Sequence, residues 1–138
     1  KMEKDPSLVK IAFEKMNKSF NSIVEETVAK HGINRSEFFT LVCIVKKEAI
    51  NIKAITNKLY YNKSQISRNI KVLIEKSLVE IIYKEGYKTK YDFVATSEGL
   101  NIYNLVRDAQ EELKNVMFSR ITSDEYIELI RILSKILA

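Results

Sequence analysis

Residues that interrupt a helix are nearly missing from this chain: 138 residues contain one proline and three glycines. Little of it can therefore be loop. A single cysteine excludes an internal disulfide, and no Cys/His cluster has zinc-ligand spacing. One histidine and one cysteine leave no material for a triad or a Cys/His pair, and no glycine-rich loop is present to cradle phosphates. Paired acids occur at Glu25-Glu26, Glu111-Glu112 and Asp124-Glu125, where helix surfaces and first turns ordinarily carry them. An enzyme is thus the least expected class, and no cofactor or metal is expected. No apolar run approaches a membrane span, and no apolar leader opens the chain. The expected compartment is the cytoplasm, with no membrane partner.

What is present is ordinary for one soluble domain: 46% hydrophobic and 30% charged residues, too apolar for a disordered segment. The net charge of +5 is unevenly placed. Residues 51–91 hold nine basic side chains against three acidic ones, a net of +6, so the remainder carries −1. A localised basic patch is the footprint of a polyanionic partner, although many charge runs are only solvated surface.

The apolar spacing predicts six helices. The first covers residues 7–31, with Ser7 as its N-cap, a stripe at Val9, Ala12, Phe13, Met16, Phe20, Ile23, Val24 and Val28, and Gly32 to end it. Asn34 and Glu37 form a capping box ahead of Phe38, Leu41, Val42 and Val45. A short helix follows from Asn51, with Ile52, Ile55 and Leu59 on one side. Asn62 opens the fourth, with Gln65 as its box partner. The period then changes. VEIIYKEGYKTKYDFVA, residues 79–95, is β-branched and aromatic around Glu85-Gly86, which predicts a hairpin. Thr96 or Ser97 caps a long helix with a stripe at Leu100, Tyr103, Val106, Ala109, Leu113 and Val116 or Met117. Thr122 and Glu125 cap a last one carrying Ile127, Ile130, Leu133, Ile136 and Leu137.

The fourth helix is the informative one. At about 100° per residue, Ile66, Ile70, Leu73 and Ile74 share one sector. Ser64, Arg68 and Lys71 lie opposite, flanked by Gln65 and Ser67, with no acid before Glu75. Arg and Gln suit base edges in a DNA major groove, while Ser, Lys and a helix N-terminus suit phosphates. A short helix, a turn at Tyr60-Tyr61 and this helix make a helix-turn-helix, with the small Thr56 at the crossing. The basic hairpin behind it stands where a wing would.

ITNKLYYNKSQISRNIKVLIEKSLVE resembles the helix-turn-helix of MarR-type winged-helix regulators. Ser64, Ser67, Arg68, Leu73, Glu75, Leu78 and Val79 occupy matching places, Thr96-x-x-Gly99 matches the end of the wing, and ITSDEYIELIRILSKIL is similar to the last helix. Tyr60 and Ser77 stand where the family has glycine, and the wing lacks the Asp-x-Arg signature. The resemblance implies a mainly α fold with a small β-hairpin wing. It places the winged helix-turn-helix at residues 34–95 and dimerisation helices at residues 7–31 and 97–138. It also implies a homodimer on a pseudo-palindromic site in double-stranded DNA, acting as a repressor that a small-molecule effector releases. Lys63, Ser64, Gln65, Ser67, Arg68 and Lys71 would meet the major groove and its phosphates, and Lys84, Lys88 and Lys90 would form the wing contacts. The apolar LIRILSKILA tail agrees with a dimer.

Two other readings stand beside this one. The same surface could hold an acidic protein partner, or the dimer could answer to no small molecule. Cys43 reads as a small core residue. His31 lies at a helix end without the neighbours a metal wants. Tyr60, Tyr61, Tyr83, Tyr87, Tyr91 and Tyr103 read as strand and core formers, some of which could line an effector cavity.

Overall fold

The computed structural model describes residues 5–47 and 51–138. In chain order it contains α1 (Pro6–Ala29), α2 (Arg35–Val45), α3 (Ile52–Leu59), α4 (Lys63–Glu75), β1 (Val79–Tyr83), β2 (Tyr91–Ala95), α5 (Ser97–Met117) and α6 (Ser123–Leu137). This is the mainly helical, hairpin-bearing class that the sequence predicts. The two strands form an antiparallel pair running from Val79 opposite Ala95 to Tyr83 opposite Tyr91. That register centres the connection on Tyr87, not on Glu85-Gly86. The connecting loop, residues 84–90, contains a turn closed by the Tyr87 N–H on the Lys84 carbonyl, with Gly86 at φ 79°.

Helix starts follow their caps. Asp5, not Ser7, caps α1: its carboxylate accepts from the Ser7 N–H and hydroxyl, and Pro6 occupies the first helical position, where no donor is needed. The Ser7 hydroxyl, and secondarily its N–H, hold the Asp5 carboxyl below its ordinary value. The Asn34–Glu37 and Thr122–Glu125 boxes are closed in both directions. Thr96 is the cap of α5. At Asn62 only half of the expected box forms. Its side chain accepts from the Gln65 N–H, but the Gln65 side chain turns away to other partners.

The core lies where α2 meets α4, α5 and α1. Leu41, Ile55, Ile66, Leu73, Val24, Val28, Val79 and Val106 are its most deeply buried apolar residues. On α1 the expected stripe is graded. Val24 and Val28 are buried, Met16, Phe20 and Ile23 are half-buried, and Val9 and Phe13 are exposed. On α5 the buried residues are Gly99, Ile102 and Val106, so the predicted stripe is rotated and Leu100 is exposed. On α6 Tyr126, Leu129 and Leu133 are half-buried, and the expected Ile127, Ile130, Ile136 and Leu137 face outward. No residue of α6 is buried.

Among the described residues, three non-glycine residues take the left-handed backbone: Lys47, Tyr60 and Ser77. Each follows or closes a helix. At the end of α4 the Leu78 N–H bonds the Leu73 carbonyl and the Ser77 N–H bonds that of Ile74, with buried Leu78 packed near buried Leu73. That double closure requires φ near +60° at the intervening residue, a conformation costly for any side chain. Ser77 is exposed, so its side chain has little to lose. Ser77→Gly is therefore expected to stabilise the chain by about 0.5–1 kcal/mol, after allowing for glycine's larger unfolded-state entropy. Urea denaturation measures this, and an unchanged or lowered midpoint would contradict it.

Candidate nucleic-acid interface

Helix α4 docks through Ile66, Asn69, Ile70 and Leu73, all buried. The opposite face is open: Lys63, Ser64, Ser67, Arg68 and Lys71 are exposed and Gln65 is half-buried. Asn62 caps the helix and no acid occupies its first turn, unlike α2, α5 and α6. The positive end of the α4 dipole is thus uncompensated by the helix's own first-turn residues, beside Lys63, as an anion site requires.

The hairpin extends the basic surface. Lys84, Lys88 and Lys90 are exposed on its loop. Lys84 lies 4.0 Å from Asp92, and Lys90 stands over the Tyr87 ring at 4.4 Å from its centroid. A row of aromatic rings stiffens the hairpin, Tyr83 to Tyr91 at 5.7 Å and Tyr91 to Phe93 at 5.4 Å. Val79 and Phe93 are buried and anchor its base, which fixes the loop's position relative to α4. The sequence-predicted residues therefore form two groups, six along the first three turns of α4, all exposed but the half-buried Gln65, and three exposed on the loop.

Within the first group, side chains are linked. The Arg68 Nη2 donates to Gln65 Oε1 at 2.9 Å, and Gln65 Nε2 donates to Asn69 Oδ1 at 2.8 Å. Asn69 Nδ2 donates to Ser36 Oγ at 2.8 Å, to Thr40 Oγ1 at 3.1 Å and to the Ser36 carbonyl at 3.3 Å. Asn69 is 1% exposed, and with Thr40 it makes up the buried polar residues among those described. Sequence reasoning missed it. The signal was its position between Ile66, Ile70 and Leu73, at helical spacing on the apolar side.

Residues 33–81 match the family model of MarR, which takes in α2, α3, α4 and the start of the wing. The fold extends the likeness to nearly the whole chain. It is similar to wild-type MarR from E. coli in its apo form, at 19% identity over 94% of this chain and 96% of that one, with a TM-score of 0.73. It is similar to a Staphylococcus aureus MarR in complex with salicylate and kanamycin, at 20% identity over 93% and 87%, with a TM-score of 0.76. It is also similar to an S. aureus MepR mutant bound to an oligodeoxyribonucleotide, at 14% identity over 94% and 95%, with a TM-score of 0.69. A comparison with curated protein sequences finds no match.

Beside α4 is an open cleft of about 770 Å³. Glu25, Arg35, Ser36, Tyr61 and Gln65 are among its lining residues, and an Arg35–Glu25 ion pair of 3.3 Å crosses from α2 to α1. Tyr60 and Tyr61 are the expected tyrosines that reach this cleft; Tyr83, Tyr87 and Tyr91 stay on the wing. Cys43 is buried in α2, as a core residue would be. His31 is exposed and lines a smaller recess with Lys76 and Glu98. Among the described residues no group of three or more His, Cys, Asp or Glu side chains could hold a metal, and no helix is long and apolar enough to cross a membrane.

Proposed function

We propose that this chain is a dimeric, sequence-specific DNA-binding transcription regulator, a repressor whose hold on a pseudo-palindromic operator is released by a small-molecule effector. The observation that carries the reading is the exposed face of α4. It presents one arginine, two lysines, two serines and a glutamine within the residues that match the MarR family model, at a helix end with no acid in its first turn. Lys63, Ser64, Ser67, Arg68 and Lys71 face the major groove and its phosphates; Lys84, Lys88 and Lys90 take phosphates from the wing. Residues 34–95 form the reading head, and 7–31 with 97–138 the dimerisation helices. The solved MepR mutant bound to an oligodeoxyribonucleotide and the MarR bound to salicylate support DNA and a small molecule as ligand classes. The cleft lined by Arg35, Tyr61 and Gln65 is the effector seat, because its lining reaches the reading helix.

One helix-turn-helix reads few base pairs, so two reading helices about 34 Å apart must share one face of the duplex. The deciding experiment retains random-sequence duplexes on the protein at two salt concentrations and sequences them. An enriched inverted repeat, with half-sites about one helical turn apart, is the expected result. Salt-sensitive retention without an enriched sequence would overturn the reading and favour an acidic protein partner for the same face. Lys88→Ala should lower affinity for all sequences alike and reduce the salt slope by about one. An unchanged slope would remove Lys88 from the phosphate contacts.

A further inference from the structure

The side-chain chain from α2 to Arg68 has only one consistent direction of donation. The Ser36 carbonyl can only accept, and the Thr40 hydroxyl hydrogen is already given to it at 3.0 Å. Both oxygens therefore accept from Asn69, which places the Asn69 amide nitrogen toward α2. Asn69 Oδ1 is left to face Gln65, so Gln65 must turn its amide nitrogen inward and its oxygen outward. That outward oxygen accepts from Arg68, which can only donate. Reversing any amide would set two donors or two acceptors against each other. A backbone carbonyl of α2 thus determines the posture of an exposed arginine on α4.

We propose that Asn69 is a positioning residue for base readout, an inference that rests on the DNA-binding reading above. Gln65 has both amide atoms engaged, Nε2 with Asn69 and Oε1 with Arg68, so its amide plane is held by the protein and is not free to turn onto an adenine edge. Its task is to brace Arg68. The braced guanidinium keeps its other donors for the two acceptors, O6 and N7, on the major-groove edge of a guanine. The half-site base met by Arg68 is therefore guanine, and its selection depends on a residue 1% exposed that touches no DNA.

The test selects random duplexes with the parent chain, Asn69→Leu, Asn69→Ala, Arg68→Ala and the Asn69→Leu/Arg68→Ala double variant. In parallel, NMR signals of the Gln65 side-chain amide and the Arg68 Nε–H are recorded without DNA. Asn69→Leu keeps the branching of asparagine and orphans no buried donor, since the Thr40 hydroxyl still bonds the Ser36 carbonyl. Asn69→Ala adds no bulk, in case leucine is too large.

The expected result is about tenfold weaker discrimination at the one half-site position that Arg68→Ala also relaxes, with no further loss in the double variant. The Gln65 and Arg68 signals should lose their fixed environment in the free protein. A merely structural Asn69 would instead lower affinity at all positions in step with melting temperature, and that outcome overturns the proposal. Parent-like preference in both Asn69 variants, or Gln65 and Arg68 signals unmoved by them, would also overturn it while leaving the DNA-binding reading intact. A parent chain that enriches no sequence overturns both.

Discussion

Gly99→Ala will cost the fold more than about 3 kcal/mol, measured by urea denaturation, and much of the protein will be recovered unfolded. The reason is a contact between backbones. A Cβ at residue 99 would lie 2.2 Å from the Leu78 carbonyl oxygen, 3.2 Å from its carbon and 3.3 Å from Leu41 Cδ1. The oxygen is not free to yield, because it accepts from the Thr96 N–H at 3.0 Å, and the neighbouring Ser77 carbonyl accepts from the Thr96 hydroxyl at 2.7 Å. One junction ties together the end of α4, the root of the wing and the first turn of α5. Moving it by the ångström an extra methyl needs would break those bonds and part buried Leu78 from the core. Gly86→Ala provides the control. Nothing lies within 4 Å of its added Cβ, so only the left-handed backbone at φ 79° resists, at about 1 kcal/mol. A Gly99→Ala protein as stable as Gly86→Ala would show that the junction relaxes freely.

Ile130→Glu will turn the proposed dimer into a monomer, weakening self-association at least about 100-fold, and affinity for the inverted repeat will fall with it. Helix α6 has 15 residues and none is buried, while Ile127 is 65%, Ile136 67% and Leu137 84% exposed. A helix of that length is marginal without a surface to lie on. Leu8, Val9, Ile11 and Phe13 on the first turns of α1 and Val116 near the end of α5 are exposed as well. These are the elements proposed to meet a second copy, and a carboxylate buried there without a partner would oppose association strongly. Sedimentation across a concentration series measures the effect. A variant that remains dimeric at micromolar concentration would place the interface elsewhere.

Several features were legible along the chain because their causes are local. Capping residues compete for the first free N–H groups of a helix within three positions, so Asn34, Asn51, Asn62, Thr96 and Thr122 mark real starts. The β-branched and aromatic run after Leu78, with Gly86 in its connection, marks the hairpin. The two-faced pattern of α4 determined which side would dock and which would stay open. The resemblance to MarR-type regulators drew on these same features, and the family match over residues 33–81 agrees with it.

Other features depended on contacts between residues far apart in sequence, and only the tertiary structure decided them. Whether an apolar stripe is buried depends on what stands opposite it: Val28 finds the core and Phe13 on the same helix does not. Gln65 looked like the second half of a capping box and a base reader. Asn69 and Arg68 claim its amide, because a buried Asn69 whose nitrogen is engaged by α2 must have a donor for its oxygen. Gly99 was legible only as part of the Thr96-x-x-Gly99 motif at the end of the wing, and the Leu78 carbonyl makes it the place where no side chain fits. The sequence by itself determined the elements, their order and the open cationic face. The tertiary structure decided which polar groups spend their hydrogen bonds inside the protein, since that is settled by distance in space and not by spacing along the chain.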